Sequence, residues 1–156
     1  MKKTLFVSAA LFALVISASA FSPKNKKTVR VTTPKIEQSF IEEFGNQENV
    51  EWNRQGTDLV YASFSVGTQS ANAYFDNDGN YVCATTEIQT ENLPLKLMVA
   101  ANKAFADASI NAILQMTNPD ETAYFFQVTD SKGTKVWKGY TNGTIELFKK
   151  ISKAAK

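Results

Sequence analysis

Histidine is absent from this 156-residue chain. That removes the side chain most often used as a general base near neutral pH, and the commonest metal ligand. Cysteine occurs once, at Cys83, so no disulfide can form within one chain. A lone thiol could pair between chains, but the plainer reading is a small, half-buried strand residue. The 7 glycines form no phosphate-cradling loop, and the serines stand in no Gly-x-Ser-x-Gly elbow. Adjacent carboxylates such as Glu42 and Glu43 point to different parts of a helix surface, so they do not make an acid–base couple. These absences exclude histidine-ligated metal sites and histidine-based hydrolysis, and they leave no phosphate-binding loop. The expectation is a protein that is not an enzyme and needs no cofactor.

No apolar run reaches the ~20 residues that a membrane span requires. The longest, Leu5–Ile16, follows Lys2 and Lys3 and precedes Ala18-Ser19-Ala20. A charged start, a short apolar stretch and small residues form a cleavable secretion signal, 1–20, with the cut after Ala20. The expected location is the periplasm or the exterior, without stable membrane insertion. Past the cut, 15 basic and 15 acidic residues remain, so the mature net charge is zero. A neutral protein has no overall field to attract nucleic acid, and no nucleic-acid partner is expected.

Residues 21–32 are polar and basic and read as a flexible leader. Thr33-Pro34 suits a helix N-cap with proline in the first turn. Ile36, Phe40, Ile41 and Phe44 then recur at helical spacing until Gly45. After that the period falls to two. Strands are expected around Val50–Asn53, Val60–Val66, Ala71–Phe75 and Tyr81–Ile88, divided by turn residues such as Asp76-Asn77-Asp78-Gly79-Asn80. The plan then repeats. Asn92-Leu93-Pro94 opens a second helix with Leu97, Ala101, Ala104 and Phe105 on one side. Strands follow at 110–116, 122–129, 135–140 and 144–148. Ala62-Phe64-Val66 corresponds to Tyr124-Phe126-Val128, and Phe75-Asp76-Asn77-Asp78-Gly79 to Tyr140-Thr141-Asn142-Gly143. The fold class is therefore α+β: tandem α-β4 repeats (33–91 and 92–151), with two helices packed on one face of an antiparallel sheet.

Alternation sorts side chains between the two faces of that sheet. Tyr61, Ser63, Ser65, Asn72 and Tyr74 face away from the helices. Repeat matching places Phe125 and Trp137 with them. Tyr81, Cys83 and Thr85 fit either side, and Trp52 shares the core side with Val50. Tyrosine and tryptophan offer large contact area at low entropic cost. Tyr61, Tyr74 and Trp137, with Phe125 and Tyr81, are the candidate binding residues. Aromatic residues also favour antiparallel sheets for cross-strand packing alone.

A calcium reading of Asp76, Asp78, Asn80 and Glu87 has the right twelve-residue count. Its glycine falls fourth instead of sixth, and the strand from Tyr81 carries Glu87 away. A hairpin turn accounts better for these residues, so no metal site is expected. The basic end at Lys149, Lys150, Lys153 and Lys156 reads as a solvated terminus.

The helix–four-strand repeat, the Phe-Asp-x-Asp-Gly turn at Phe75–Gly79 and the Ile88-x4-Leu93-Pro94 junction, with the N-terminal signal, resemble PepSY-like periplasmic proteins. These are linked in fold to the β-lactamase-inhibitor protein group. The likeness covers 33 to about 151. It implies tandem α-β4 units, an extracytoplasmic location and an inhibitory or binding role, and it carries over no catalytic residues. Two functions follow as expectations. One is a module whose open sheet face meets a periplasmic or extracellular protein or peptide. The alternative is a carrier of a small apolar or envelope-derived ligand, held between helix and sheet in a cavity.

Overall fold

In the computed structural model, residues 31–151 are described. The expected signal segment and residues 21–30 of the expected leader lie outside them. The first element is α1, Pro34–Phe44. Thr33 caps it: its Oγ1 accepts from the Ile36 amide at 3.4 Å, and its carbonyl accepts from the Glu37 amide at 3.0 Å. Pro34 costs the first turn nothing, because its missing N–H would have had no helical partner. Gly45 closes the helix at φ 72°, a region that favours glycine, and donates its amide to the Ile41 carbonyl.

Four strands follow: β1 Glu51–Gln55, β2 Leu59–Val66, β3 Gln69–Asp76 and β4 Tyr81–Ile88. A short 3-10 turn at Thr90–Asn92 precedes α2, Leu95–Ala104. Pro94 stands at its N-cap and offers no side-chain hydrogen bond. Four more strands complete the order: β5 Ser109–Thr117, β6 Thr122–Asp130, β7 Gly133–Tyr140 and β8 Ile145–Ile151. All eight form one antiparallel sheet in sequential order, β1 to β8.

The register shows that both helices lie on one side. Ala71 opposes Thr86, Thr86 opposes Gln115, and Gln115 opposes Tyr124, so these four share a face. On that face α1 packs Ile36 and Phe40 against Val60, Ala62, Phe64, Ala73 and Phe75. The Phe40 ring meets Phe64 edge-on at 5.0 Å and Trp52 at 5.5 Å, the tilted geometry that aromatic quadrupoles prefer. Further along, α2 packs Leu97 and Ala101 against Ile113, Phe126 and Val128, with Phe105 beneath. The α1 cluster draws its side chains from the first half alone, and the α2 cluster draws its own from the second half together with Ile88 of β4.

A third cluster lies on the opposite, far face. It unites Leu59, Tyr74 and Cys83 with Met116, Ala123, Phe125 and Val136. It mixes the two halves most evenly, with three of its buried side chains from the first and four from the second. Two further ties cross the junction. The β4–β5 ladder runs from Ala84↔Thr117 to Ile88↔Ile113. The Tyr81 hydroxyl donates to the Thr117 carbonyl at 3.0 Å.

Some local expectations shift. Val31 packs against the α1 cluster and Thr32 is buried, while Arg54 Nη2 donates to the Val31 carbonyl at 3.4 Å. Packing thus extends at least two residues before Thr33. Ile41 is 48% exposed and Val66 58%, so neither belongs to the core. In the loop after β3 the Asp76 carboxylate accepts from the Asn80 amide and from Asn80 Nδ2, both at 2.8 Å. Those donors satisfy it as a hairpin turn requires. Among the described residues no group of acidic or cysteine side chains could hold a metal ion.

Gly139 allows α2 its close approach. A Cβ there would sit 2.7 Å from Phe126 Cε2 and 2.8 Å from Leu97 Cδ1. Gly139→Ala should therefore lower stability by about 1–3 kcal/mol through overpacking, read from urea unfolding. Because the far-face cluster and the β4–β5 ladder bridge the halves, 33–156 should unfold in one cooperative step. Neither 33–91 nor 92–156 should fold alone. Two separate calorimetric transitions would contradict this.

Candidate binding face

The far face is the candidate site. Its inventory follows from alternation: Tyr61 opposes Tyr74 across β2–β3, and Tyr74 opposes Cys83 across β3–β4. Thr85 opposes Met116, Met116 opposes Ala123, and Leu114 opposes Phe125. The Tyr61 and Tyr74 rings lie 5.2 Å apart at 32°, and the Phe125 ring meets Phe148 nearly edge-on at 5.2 Å. Tyr74 is 4% exposed and Phe125 1%, so these two form a floor. Tyr61, Val82, Leu114 and Phe148 pack against it and are themselves half-buried.

The five candidate residues do not share one face. Trp137 opposes Phe126 across β6–β7 and packs on Phe105 at 5.8 Å, on the helix side. Repeat matching misplaced it, because β6 and β7 alternate strictly: the side of Phe125 is taken up by Val136 and Lys138. Tyr81 also points to the helices and packs on Phe44 at 5.7 Å and Phe75 at 5.9 Å. A register shift separates it from Cys83, since Phe75 opposes Tyr81 while Tyr74 opposes Cys83. The bulge makes Val82 and Cys83 both face the far cluster. This resolves the ambiguity of the fourth strand: Tyr81 goes to the helix side, Cys83 and Thr85 to the far side.

A second bulge does the same for Phe148. Trp137 opposes Leu147 but Val136 opposes Lys149, so Phe148 falls between them and joins the far cluster. No feature of the residue pattern around Phe148 signals that bulge. Leu114 and Met116 were within reach, because alternation counted outward from Ile113 assigns them to the far side.

The face is apolar at its centre, with few polar groups. Burial pushes Tyr74 up to about 12 and the Cys83 thiol up to about 12. The Thr85 hydroxyl lies close enough to moderate the rise at Tyr74, but the geometry falls short of a hydrogen bond. Thr85 Oγ1 is thus buried without a partner. At the β7 end sits a charged group. Lys138 pairs with Glu121 at 3.1 Å and lies 4.7 Å from the centre of the Tyr140 ring. The Tyr140 hydroxyl donates to Glu146 at 2.6 Å. Burial alone would lower the Lys138 pKa, but Glu121 and Tyr140 outweigh it and hold it up. The described residues of this face couple no nucleophile to a base: the one thiol is buried with its pKa raised, Glu121 is paired with Lys138, and Glu146 accepts from the Tyr140 hydroxyl.

Elsewhere a hollow of about 370 Å³ is lined by Asn46, Gln47, Glu48, Asn49 and Ser65. Its lining is polar and does not suit an apolar ligand.

Burial also fixes a pH dependence. Cys83 has an ordinary value of 9.0, Tyr74 and Tyr81 one of 10.0, and in the fold all three rise to about 12. The native state keeps protons that the unfolded chain releases, so unfolding is favoured as pH rises. Stability should be level up to about pH 9 and fall between 9 and 12, read from denaturant midpoints. At pH 8 Cys83 should resist thiol reagents until the protein is unfolded.

No protein-family model matches the chain, and no curated sequence is similar to it. Several solved structures share its fold. A BLIP-like protein from Bacteroides fragilis aligns with TM-score 0.68 and 14% identity, over 80% of this chain and 92% of the other. A DUF2874 family protein from Bacteroides ovatus aligns with TM-score 0.67 and 13% identity, over 78% and 89%. A Bacteroides eggerthii protein provisionally named periplasmic aligns with TM-score 0.66 and 13% identity, over 72% and 84%. At these identities the likeness is one of architecture: the chain has a BLIP-like fold.

Proposed function

We propose that the protein is a non-enzymatic binding module, inhibitor-like in form, that takes a protein or peptide on the far face of its sheet. The observation that carries this is an apolar, aromatic sheet face opposite both helices, with no described element laid across it. Tyr74 and Phe125 make the floor, while Tyr61, Val82, Leu114 and Phe148 provide the contact area. Trp137 and Tyr81 act from behind as core residues. Large aromatic groups flanked by hydroxyls and one charged cluster have the composition of a hot spot with a polar rim.

The BLIP-like protein and the provisionally periplasmic one support this reading by fold, and the signal-like N-terminus supports an extracytoplasmic location. Among the described residues no helix is long and apolar enough to cross a membrane. We also read the two α-β4 halves as tandem copies, on the matched patterns of Ala62-Phe64 and Tyr124-Phe126, which both lie on the helix side.

The test is capture from an envelope extract of the producing cell, read by mass spectrometry. Tyr61→Lys with Leu114→Lys should weaken capture at least tenfold with little change in melting temperature, since both side chains reach the surface. Trp137→Ala should lower the melting temperature yet leave capture intact in the folded fraction. Equal capture by the double variant would overturn the site. Extraction of a small apolar ligand instead of a protein would favour the carrier.

A further inference from the structure

The charges of the chain are divided by half. Residues 33–91 hold ten acidic and two basic side chains, net −8, whereas 92–156 hold nine basic and five acidic, net +4. The boundary falls at the junction between β4 and β5, and the strands share the bias: β1–β4 carry Glu51, Asp76 and Glu87 against Arg54, while β5–β8 carry Lys135, Lys138, Lys149 and Lys150 against Asp130 and Glu146. The sheet is also open. Among the described residues, β1 and β8 each pair with a strand on one side only, so each has an outer edge with no described strand beside it.

These edges are complementary. In an all-antiparallel meander of eight strands, β1 and β8 run in opposite directions. A second copy moved sideways by the width of the sheet keeps its strand directions, so β8 of the first copy meets β1 of the next as an antiparallel neighbour. Side chains match as well. Glu51 opposes Ser63 on the far side, and Lys149 opposes Val136 on that same side. Glu51, Lys149 and Lys150 are exposed, and among the described residues none of them has an ion-pair partner. Opposed across a shared ladder, Glu51 and Lys149 form a cross-strand pair of opposite charge. Lysines on an edge normally keep edges apart. They do so here for β8 against β8, and the acidic half does so for β1 against β1. Only the unlike pairing removes the repulsion.

We propose that a second copy of this chain docks edge to edge, β8 of one copy against β1 of the next. The contact is heterologous, so it grows open-ended chains and does not close as a two-fold dimer. It is independent of the far-face reading, because it uses the rims of the sheet and leaves the face clear.

The test is sedimentation of the secreted protein over a concentration series. At about 10 mM salt, where the screening length is about 30 Å, the mass should rise with concentration beyond a dimer. At about 1 M salt, with screening over about 3 Å, it should return to monomer. Lys149→Glu with Lys150→Glu should stay monomeric at low salt, and so should Glu51→Lys. Mixed together at low salt, these two variants should again grow with concentration, as chains in which they alternate, since both junctions between unlike copies join opposite charges and neither junction between like copies does. That rescue also shows that both variants are folded. Monomer under every condition would overturn the proposal. So would association that strengthens with salt, which would place the contact on the apolar far face, or a mixture that fails to pair.

Discussion

Everything else in this structure depends on the seam between β4 and β5. The helix-side clusters are local: α1 is satisfied by β1–β3 and the start of β4, and α2 mainly by β5–β8. What joins them is five paired positions, the Tyr81–Thr117 hydrogen bond and the far-face cluster. The last term is the large one. Tyr74, Cys83, Met116, Phe125 and Val136 come from both halves and lose their contact with water together. Burial of that kind contributes roughly 25 cal/mol for each Å² of apolar surface removed, far more than a single tyrosine hydrogen bond at about 1 kcal/mol.

On the proposed reading the same face has two duties. An antiparallel sheet commonly packs one face and wets the other. Here the second face is apolar at its centre because it holds the halves together. Its rim is where a partner can be met. This explains why two aromatic residues of the face, Tyr74 and Phe125, are almost inaccessible. It also explains why Tyr61 and Leu114 are better probes of binding than they are. The charge division follows the same line: the apolar seam lies between an acidic and a basic half, and charged side chains crowd toward turns, helix surfaces and edges.

The fold was largely legible in the sequence, because its signals are local. Thr33, Pro34 and Gly45 bounded α1 through capping and backbone preference alone. Period-two alternation located all eight strands, with ends that are exact or displaced by at most three residues. Turn chemistry at Asp76–Asn80 argued against a metal loop before the Asn80 donors could be seen. The candidate site was legible only in part. Tyr61, Tyr74 and Phe125 were assigned to the far side by alternation within regular strands. Trp137 was assigned by analogy between halves and lies on the other side.

The sequence by itself determined the elements, their order and the side of each residue wherever the two-residue period ran unbroken. That information lies in neighbours along the chain. Tertiary structure decided where the period breaks. The bulges at Tyr81–Cys83 and beside Phe148 depend on how one strand is registered against the next. One extra residue reverses every side chain beyond it. Tertiary structure also decided that the far face closes into a cluster spanning both halves, because Tyr74 and Phe125 meet only through strands that pair across the seam.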